Sequence, residues 1–420
     1  RQARAGVNGH RRQFVRRLND SIASAMMQKR RYVSREDVMK VVARMAKLPL
    51  AYLMQDDSER ILNIEKAIAE NVLDQPEALK LADIIIGAQG GLIDENRPLG
   101  CVVIQGPPAC GKTETARVVA KELGCELLKF DMGDFSEEHS KSRMIGAPPG
   151  YTGYEDASML SEIRKHPHCV ILLDEIEKAH WNVFDTFLPV LDEGTLVDSH
   201  GRVVSFKNTF IIMTTNAGVE AAAEIEDSKK IKAGFSHENV NQEGEKKKKM
   251  REEFNSALLK KNGGPLRPET ISRVKALGDI LHYNALEIST VEKLVTREIK
   301  KTNVRLASPM GSNLKGVTLE ISDSVKKQLA EMGYSKTYGA RNLLGVIKEH
   351  ITNKVGRWIV QNRKEIESFV AANGGAKVIV DSIDNFSPQM VKADAPAKTA
   401  DDKVVKLPVK DFNKINKCIN

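Results

Sequence analysis

Cys101–Thr113 reads CVVIQGPPACGKT, and Cys169–His180 reads CVILLDEIEKAH. The first stretch is an apolar run that opens into G-x-x-x-x-G-K-T and then a helical pattern from Lys112, the setting a phosphate loop requires. Its backbone amides and the helix N-terminus offer positive potential to phosphate oxygens. The loop comprises Gly106, Pro107, Pro108, Ala109, Cys110, Gly111, Lys112 and Thr113, with Glu114 adjoining. Lys112 is expected to reach the outer phosphates, and Thr113 to ligate magnesium through its hydroxyl. Cys110 reads as a small packing residue rather than a nucleophile. The second stretch is an apolar run closed by paired acids. Asp174 is expected as a magnesium partner, directly or at one remove, and Glu175 as the base that activates water. Thr215 and Asn216 close a further apolar run, where the Asn216 amide is placed to orient that water. Two such motifs in this order predict hydrolysis of a nucleoside triphosphate, with ATP and Mg2+ as cofactors.

The apolar runs 101–105, 126–131, 169–174 and 209–216 lack clean alternation, so strands covered on both faces are expected. Helical patterns at 112–123, 158–165 and 181–192 lie between them, which predicts an α/β fold with a parallel sheet between helices. Ahead of this region, 11–29 reads as a helix. Another starts near Ser34, whose spacing to Asp37 fits an N-cap, with Val38, Val41, Val42 and Met45 on one face. A helix follows over about 57–70. Residues 236–263, with four lysines in a row at 246–249, read as a solvated helix or a loop. Beyond 284 helices are expected at 289–302, 322–332 and 339–358, with short strands at 317–322 and 376–383. The expected domains are a basic N-terminal helical segment (1–56), a large α/β domain (57–283), a smaller helix-rich domain with a minor sheet (284–383) and an extended tail (384–420).

The chain has 420 residues, 64 Lys and Arg against 56 Asp and Glu, and a formal charge of +8. Residues 1–31 hold nine basic side chains against Asp20 alone, so the remainder is close to neutral and no uniformly basic nucleic-acid face is indicated. The five cysteines include no C-x-x-C pair, and residues 1–31 carry no apolar secretory core. A reducing, cytoplasmic setting is therefore expected. No run reaches the roughly 18 apolar residues of a membrane span. The sequence starts at Arg1, which fits a processed chain or part of a longer one.

These motifs resemble the AAA+ ATPases of the Clp unfoldase family, above all the second nucleotide-binding module of a ClpA-type protein. GAPPGYTGYED (146–156), the stretch from Lys165 to Asp198, and MTTNAG (213–218) carry the resemblance, which covers about 35–380. It implies that Lys112 and Thr113 belong to Walker A, Asp174 and Glu175 to Walker B, and Asn216 to sensor 1. Arg341, in Tyr338-Gly-Ala-Arg341, matches sensor 2, and Arg273 matches the arginine finger offered to a neighbouring subunit. Ser272 stands where the family usually has Asn, so Arg267 is an alternative finger. Val72, Leu73 and Gln75 resemble the element beside adenine, with Asp74 where Gly is common. Arg143 is open between a link to the neighbour's nucleotide and a surface contact.

The family also implies a homo-hexameric ring acting on unfolded or tagged protein. Gly150, Tyr151, Thr152 and Gly153 match its central-pore loop, an aromatic tip between glycines that grips polypeptide of many sequences. Tyr154 and a loop around Thr195–Arg202 are expected to add contacts. A nucleic-acid motor would line its channel with basic residues and stacking platforms instead. Ala233, Gly234 and Phe235 fall where members that work with a ClpP-type peptidase carry Ile-Gly-Leu or Ile-Gly-Phe. Ala233 lacks the branched anchor, which removes roughly 1.5–3 kcal/mol of available apolar burial. Coupling to a peptidase, and action as a disaggregase or scaffold without one, are both open on the sequence. Residues 1–50 resemble the segment that succeeds a first ATPase module in tandem members, though no first phosphate loop precedes them.

Overall fold

The structure is a computed structural model that describes residues 20, 33–46, 57–89, 94–146, 158–218, 252, 255–259, 264–307, 316–335, 339–383 and 388–392. The chain divides into two compact units, residues 1–286 with 337–339, and residues 287–336 with 340–420.

In the first unit, α1 (Arg35–Ala46), α2 (Asp57–Asn71) and α3 (Lys80–Gln89) precede β1 (Gly100–Gln105), α4 (Lys112–Glu122), β2 (Glu126–Asp131), α5 (Lys141–Ile145) and α6 (Met159–Lys165). Then come β3 (Cys169–Asp174), α7 (Trp181–Glu193), the hairpin β4 (Thr195–Val197) and β5 (Val203–Ser205), β6 (Thr209–Thr215), α8 (Pro268–Leu277) and β7 (Ile280–His282). The main sheet runs β2-β3-β6-β1-β7 with every pairing parallel. Successive residues along its central strands enter opposite cores. Cys101, Val103, Ile171, Leu173, Ile211 and Met213 pack with Phe184, Phe187 and Leu160. Val102, Ile104, Val170, Leu172, Phe210 and Ile212 pack with Ile64, Ile68 and Leu81. Both faces are dry, which is why these strands read as unbroken apolar runs. β2 is different. It lies at the sheet edge and is partly exposed, so Lys129 is tolerated in it.

Register fixes where chemistry can occur. Gln105 of β1 pairs with Thr215 of β6, and Leu173 of β3 with Met213 of β6. The C-terminal ends of three strands therefore lie side by side, where open parallel sheets bind ligands.

Several expectations change. The fifth strand, β7, is three residues long, too short to show a period. The segment Thr195–Arg202, expected as a loop, is the first half of a hairpin in which Leu196 pairs with Val204. Its turn is held by Asp198, whose carboxylate accepts from the backbone of His200 at 2.9 Å and of Arg202 at 2.8 Å, and from Arg202 Nε at 2.7 Å. Beside the turn, Ser199 N donates to the Ile145 carbonyl at 2.9 Å. On α1, Val41 is buried while Val38, Val42 and Met45 are exposed, so the expected shared face is buried at Val41 alone. Leu258, inside the stretch read as solvated, is fully buried.

The second unit contains α9 (Ile288–Ala307), β8 (Val317–Ile321), α10 (Asp323–Gly333), α11 (Leu343–Ile347), α12 (Asn353–Gln361), α13 (Arg363–Asn373), β9 (Ala376–Val380) and β10 (Gln389–Lys392). β8 and β9 are parallel, and β10 adds antiparallel to β9. The helix expected over 339–358 starts at Leu343 and passes through a π-helical turn, Lys348–Thr352. The expected tail from 384 contains β10, a short polar strand placed by backbone pairing rather than side-chain pattern. α13 was not apparent in the sequence. No described helix is long and apolar enough to cross a membrane.

Gly194 ends α7 in the left-handed region (φ 61°), and a Cβ there would run into the Asn96 carbonyl oxygen. Gly194→Ala should destabilise the first unit by about 1–3 kcal/mol through strain and displacement of this backbone. A lowered denaturation midpoint with unchanged slope would register it.

Candidate active site

β1 delivers the loop and α4 receives it. Gly106 N donates to the Thr215 carbonyl at 3.2 Å, which stitches the loop to β6. A Cβ at Gly106 would sit 2.6 Å from the Tyr283 carbonyl oxygen, so this position requires glycine. Ala109 (φ 58°) and Gly111 (φ 106°) turn the chain through left-handed conformations into α4. Among the described residues, no side chain caps the start of that helix. Its first amides are thus left to an incoming anion, and the glycine cradle fits a phosphate chain. Thr115 Oγ1 bonds the Gly111 carbonyl at 3.0 Å and meets the buried Tyr283 hydroxyl at 2.9 Å, which holds the turn from beneath.

Lys112 is buried, and its ammonium reaches the carbonyls of Gly106 at 2.6 Å and Pro107 at 2.8 Å, and Asn216 Oδ1 at 2.7 Å. Three donors meet three acceptors. Burial pushes this ammonium's pKa below its ordinary value, and the acids Glu177, Asp174 and Glu175 act against that shift.

Asp174 ends β3. Its Oδ1 accepts from Thr214 Oγ1 at 2.5 Å and its Oδ2 pairs with Lys129 Nζ at 2.7 Å. Burial alone would raise this carboxyl, but the bonds from Lys129 and Thr214 and the charge of Lys112 outweigh it, and the pKa lies below the ordinary carboxylate value. Glu175 follows in a left-handed conformation (φ 59°, ψ 56°), which breaks the strand and redirects the chain. Its backbone N–H donates to Thr214 Oγ1 at 3.1 Å, and its side chain pairs with Lys178. Asn216 meets Glu177 as well as Lys112. Glu177 Oε1 accepts from Asn216 N at 3.1 Å and from Nδ2 at 3.0 Å. Glu177, Thr214, Lys129 and Tyr283 escaped the sequence reading.

The structure brings Val72 to the loop as well. It is buried, and its Cγ1 would lie 3.8 Å from a Cβ at Gly111. Leu73 beside it is half-buried. Asp74 adopts φ 55°, the left-handed geometry that explains why glycine serves at this position and why Asp can replace it. Gln75 exchanges two hydrogen bonds with the Asn284 backbone, at 2.8 and 2.9 Å. Cys110 is buried, and burial pushes its thiol above the ordinary value. Thr113 and Glu114 are half-buried in the first turn of α4, Glu114 paired with Arg117.

Arg273 lies on α8 with Nε 2.6 Å from Asp192 of α7. Arg267 precedes α8, 2.8 Å from Asp185 and stacked over Trp181 at 4.7 Å. Arg143 donates to the Asp134 carbonyl at 3.0 Å, a surface contact. Arg341 belongs to the second unit, exposed in the turn ahead of α11. Gly150–Gly153, Tyr154 and Ala233–Phe235 lie outside the described residues.

A phosphate cradle on one strand, carboxylates closing a second and an amide closing the strand between them are the arrangement of a P-loop ATPase. Comparison with known proteins narrows the class. Residues 97–276 match the family model of the AAA domain (Cdc48 subfamily), and residues 286–371 match that of the C-terminal, D2-small domain of ClpB protein. The chain is 35% identical over 337 residues to the chaperone protein ClpB of Bacillus cereus (strain ATCC 10987 / NRS 248), which takes in 79% of this chain and 36% of that protein. It is 36% identical over 354 residues to the ATP-dependent Clp protease ATP-binding subunit ClpC of Staphylococcus aureus (strain USA300), taking in 83% of this chain and 40% of that protein. The chain belongs to the AAA+ ATPases of the Clp family, and it spans about two fifths of the length of these relatives.

Because Asp174 is held below its ordinary pKa, it contributes stability that is fully present above that value and lost as pH falls through the lowered one. Asp174→Asn should flatten this acid-side loss in melting temperatures measured against pH. Thr214→Val leaves the Asp174 carboxylate and the Glu175 amide each short of a partner, and should cost about 1–3 kcal/mol in denaturant titration.

Proposed function

We propose that this chain is an ATP-driven protein unfoldase and translocase. One observation carries the reading of its engine: Lys112 of the loop touches Asn216 of β6 at 2.7 Å, beside the acids that close β3. In this reading Lys112 exchanges its present partners, Asn216 included, for the outer phosphates, and the uncapped amides of α4 hold the rest of the phosphate chain. Thr113 and Asp174 would hold magnesium, directly or at one remove. Magnesium, when bound, neutralises charge between the phosphates. Glu175 accepts the proton of the attacking water and must first give up Lys178, an ion pair whose lysine is half-exposed and therefore weakly held. Arg341 keeps the sensor 2 role that the family resemblance implies.

Arg273 is the better finger for a neighbouring subunit. Among the described residues it has a single ion pair to surrender, whereas Arg267 is held by both Asp185 and the Trp181 ring. A finger supplied across a seam makes hydrolysis depend on assembly, which fits a homo-hexamer in a cytoplasmic setting. Tyr151 between Gly150 and Gly153 is then the contact with threaded polypeptide. One relative is named a chaperone and the other the ATP-binding subunit of a protease. Ala233 bears on this choice. Without a branched side chain ahead of Gly234 and Phe235, a ClpP-type peptidase ring would be held weakly, and the disaggregase reading gains.

Glu175→Gln should lower kcat for ATP at least about 10²-fold, the scale of a lost general base, while nucleotide binding persists. Tyr151→Ala should leave ATP hydrolysis within about threefold of wild type, because binding to polypeptide and not chemistry is removed. Loss of unfolding of a stable fluorescent substrate in that variant would support threading; retained unfolding would reject the pore assignment. Mixing Arg273→Ala with wild-type subunits should lower activity more steeply than dilution alone.

A further inference from the structure

Asn216 stands between two groups of opposite character. Lys112 Nζ can only donate, and it faces Oδ1 at 2.7 Å. The Glu177 carboxylate can only accept, and it faces Nδ2 at 3.0 Å and the backbone N–H at 3.1 Å. The sense of the amide follows from its partners. Turning it over would set an NH2 against an ammonium and an oxygen against a carboxylate, replacing two charge-assisted hydrogen bonds with two repulsive contacts.

We propose that Glu177 is a positioning residue that fixes the sense of the Asn216 amide, so that an oxygen and not an NH2 group faces the phosphate side of the site. This deepens the ATPase reading above and rests on it. The need for Glu177 arises when phosphate binds. Lys112 then leaves Asn216 for the phosphate oxygens, and Glu177 alone keeps the amide from turning. The left-handed Glu175 makes this geometry available by folding the chain back, so that the residue two positions on reaches β6.

The polarity matters for the attacking water. That water has two O–H bonds and must direct a lone pair at phosphorus. With Glu175 accepting one hydrogen and Asn216 Oδ1 the other, the lone pair is left to form the new O–P bond. The O–P bond to the diphosphate leaving group breaks, and the proton bonded to Glu175 passes to that carboxylate. An NH2 group in place of Oδ1 would donate to the water and compete for the lone pair that the attack requires. Glu177 touches neither water nor phosphate in this scheme. It acts through Asn216.

The test is a polarity swap in the full chain, read by steady-state ATP hydrolysis, nucleotide binding with a fluorescent ATP analogue, and melting temperature. Asn216→Asp places two carboxylates together and should lower kcat about 10²-fold. Adding Glu177→Gln supplies an NH2 to one oxygen of the introduced carboxylate and leaves the other facing Lys112. The double variant should recover about tenfold in kcat over the single one with KM nearly unchanged, a coupling that independent sites would not show. Glu177→Gln alone keeps an acceptor for Asn216 and should stay near wild type, whereas Glu177→Leu, of similar size, should lose about tenfold in kcat at unchanged nucleotide affinity. A double variant no faster than Asn216→Asp, or equal kcat values for Glu177→Gln and Glu177→Leu, overturns the proposal. Absence of ATP hydrolysis by the wild-type chain would instead overturn the ATPase reading on which it rests.

Discussion

A lysine ammonium buried at the mouth of a parallel sheet has to find a partner for each of its three hydrogens. In this chain Lys112 finds two in the carbonyls of its own loop and the third in Asn216. The rest of the first unit can be understood as the scaffold for that meeting. β1 must end where the loop begins, β6 must lie beside it in parallel register, and Gly106 must lack a side chain so that the loop can pass under Tyr283. The cost of taking the charge from water is offset by the three acceptors and by the neighbouring carboxylates.

The same logic extends one strand further. β3 lies on the other side of β6, so its terminal acids arrive within reach of the amide and the hydroxyl at the end of β6. Thr214 is the joint. Its single hydroxyl donates to Asp174 and accepts from the Glu175 amide, which binds the last residue of one strand to the first residue of the turn beyond it. Lys129 closes the set from β2, so four consecutive strands of the sheet contribute to one polar cluster at its edge.

Much of this was legible before any coordinates. β1, β3 and β6 are buried on both faces, and burial on both faces writes an unbroken apolar run. The glycine pattern announces its loop because few residues tolerate its dihedral angles. What stayed hidden depends on neighbours rather than local pattern. Glu177 and Thr214 acquire their roles from the strand order β3-β6-β1, which a linear reading does not contain. The left-handed Glu175 also destroys the period that would have related Glu177 to β3. β7 and β10 are too short to carry a period, and the turn of the β4–β5 hairpin is a carboxylate-centred arrangement that reads as an ordinary polar loop. Asp74 was legible in the opposite sense: the suspicion attached to a missing glycine is answered by its positive φ.

The hairpin turn leaves one mechanical trace. Asp198 locks that turn, and Ser199 hangs from the last carbonyl of α5, immediately before the segment that contains Tyr151. At the far end of the same segment, Ser158 secures the start of α6 through a bond from Ser161 N at 3.2 Å. The Asp198 turn is therefore joined to the end of α5 by a backbone bond, so that a change confined to the hairpin would be felt at Ile145.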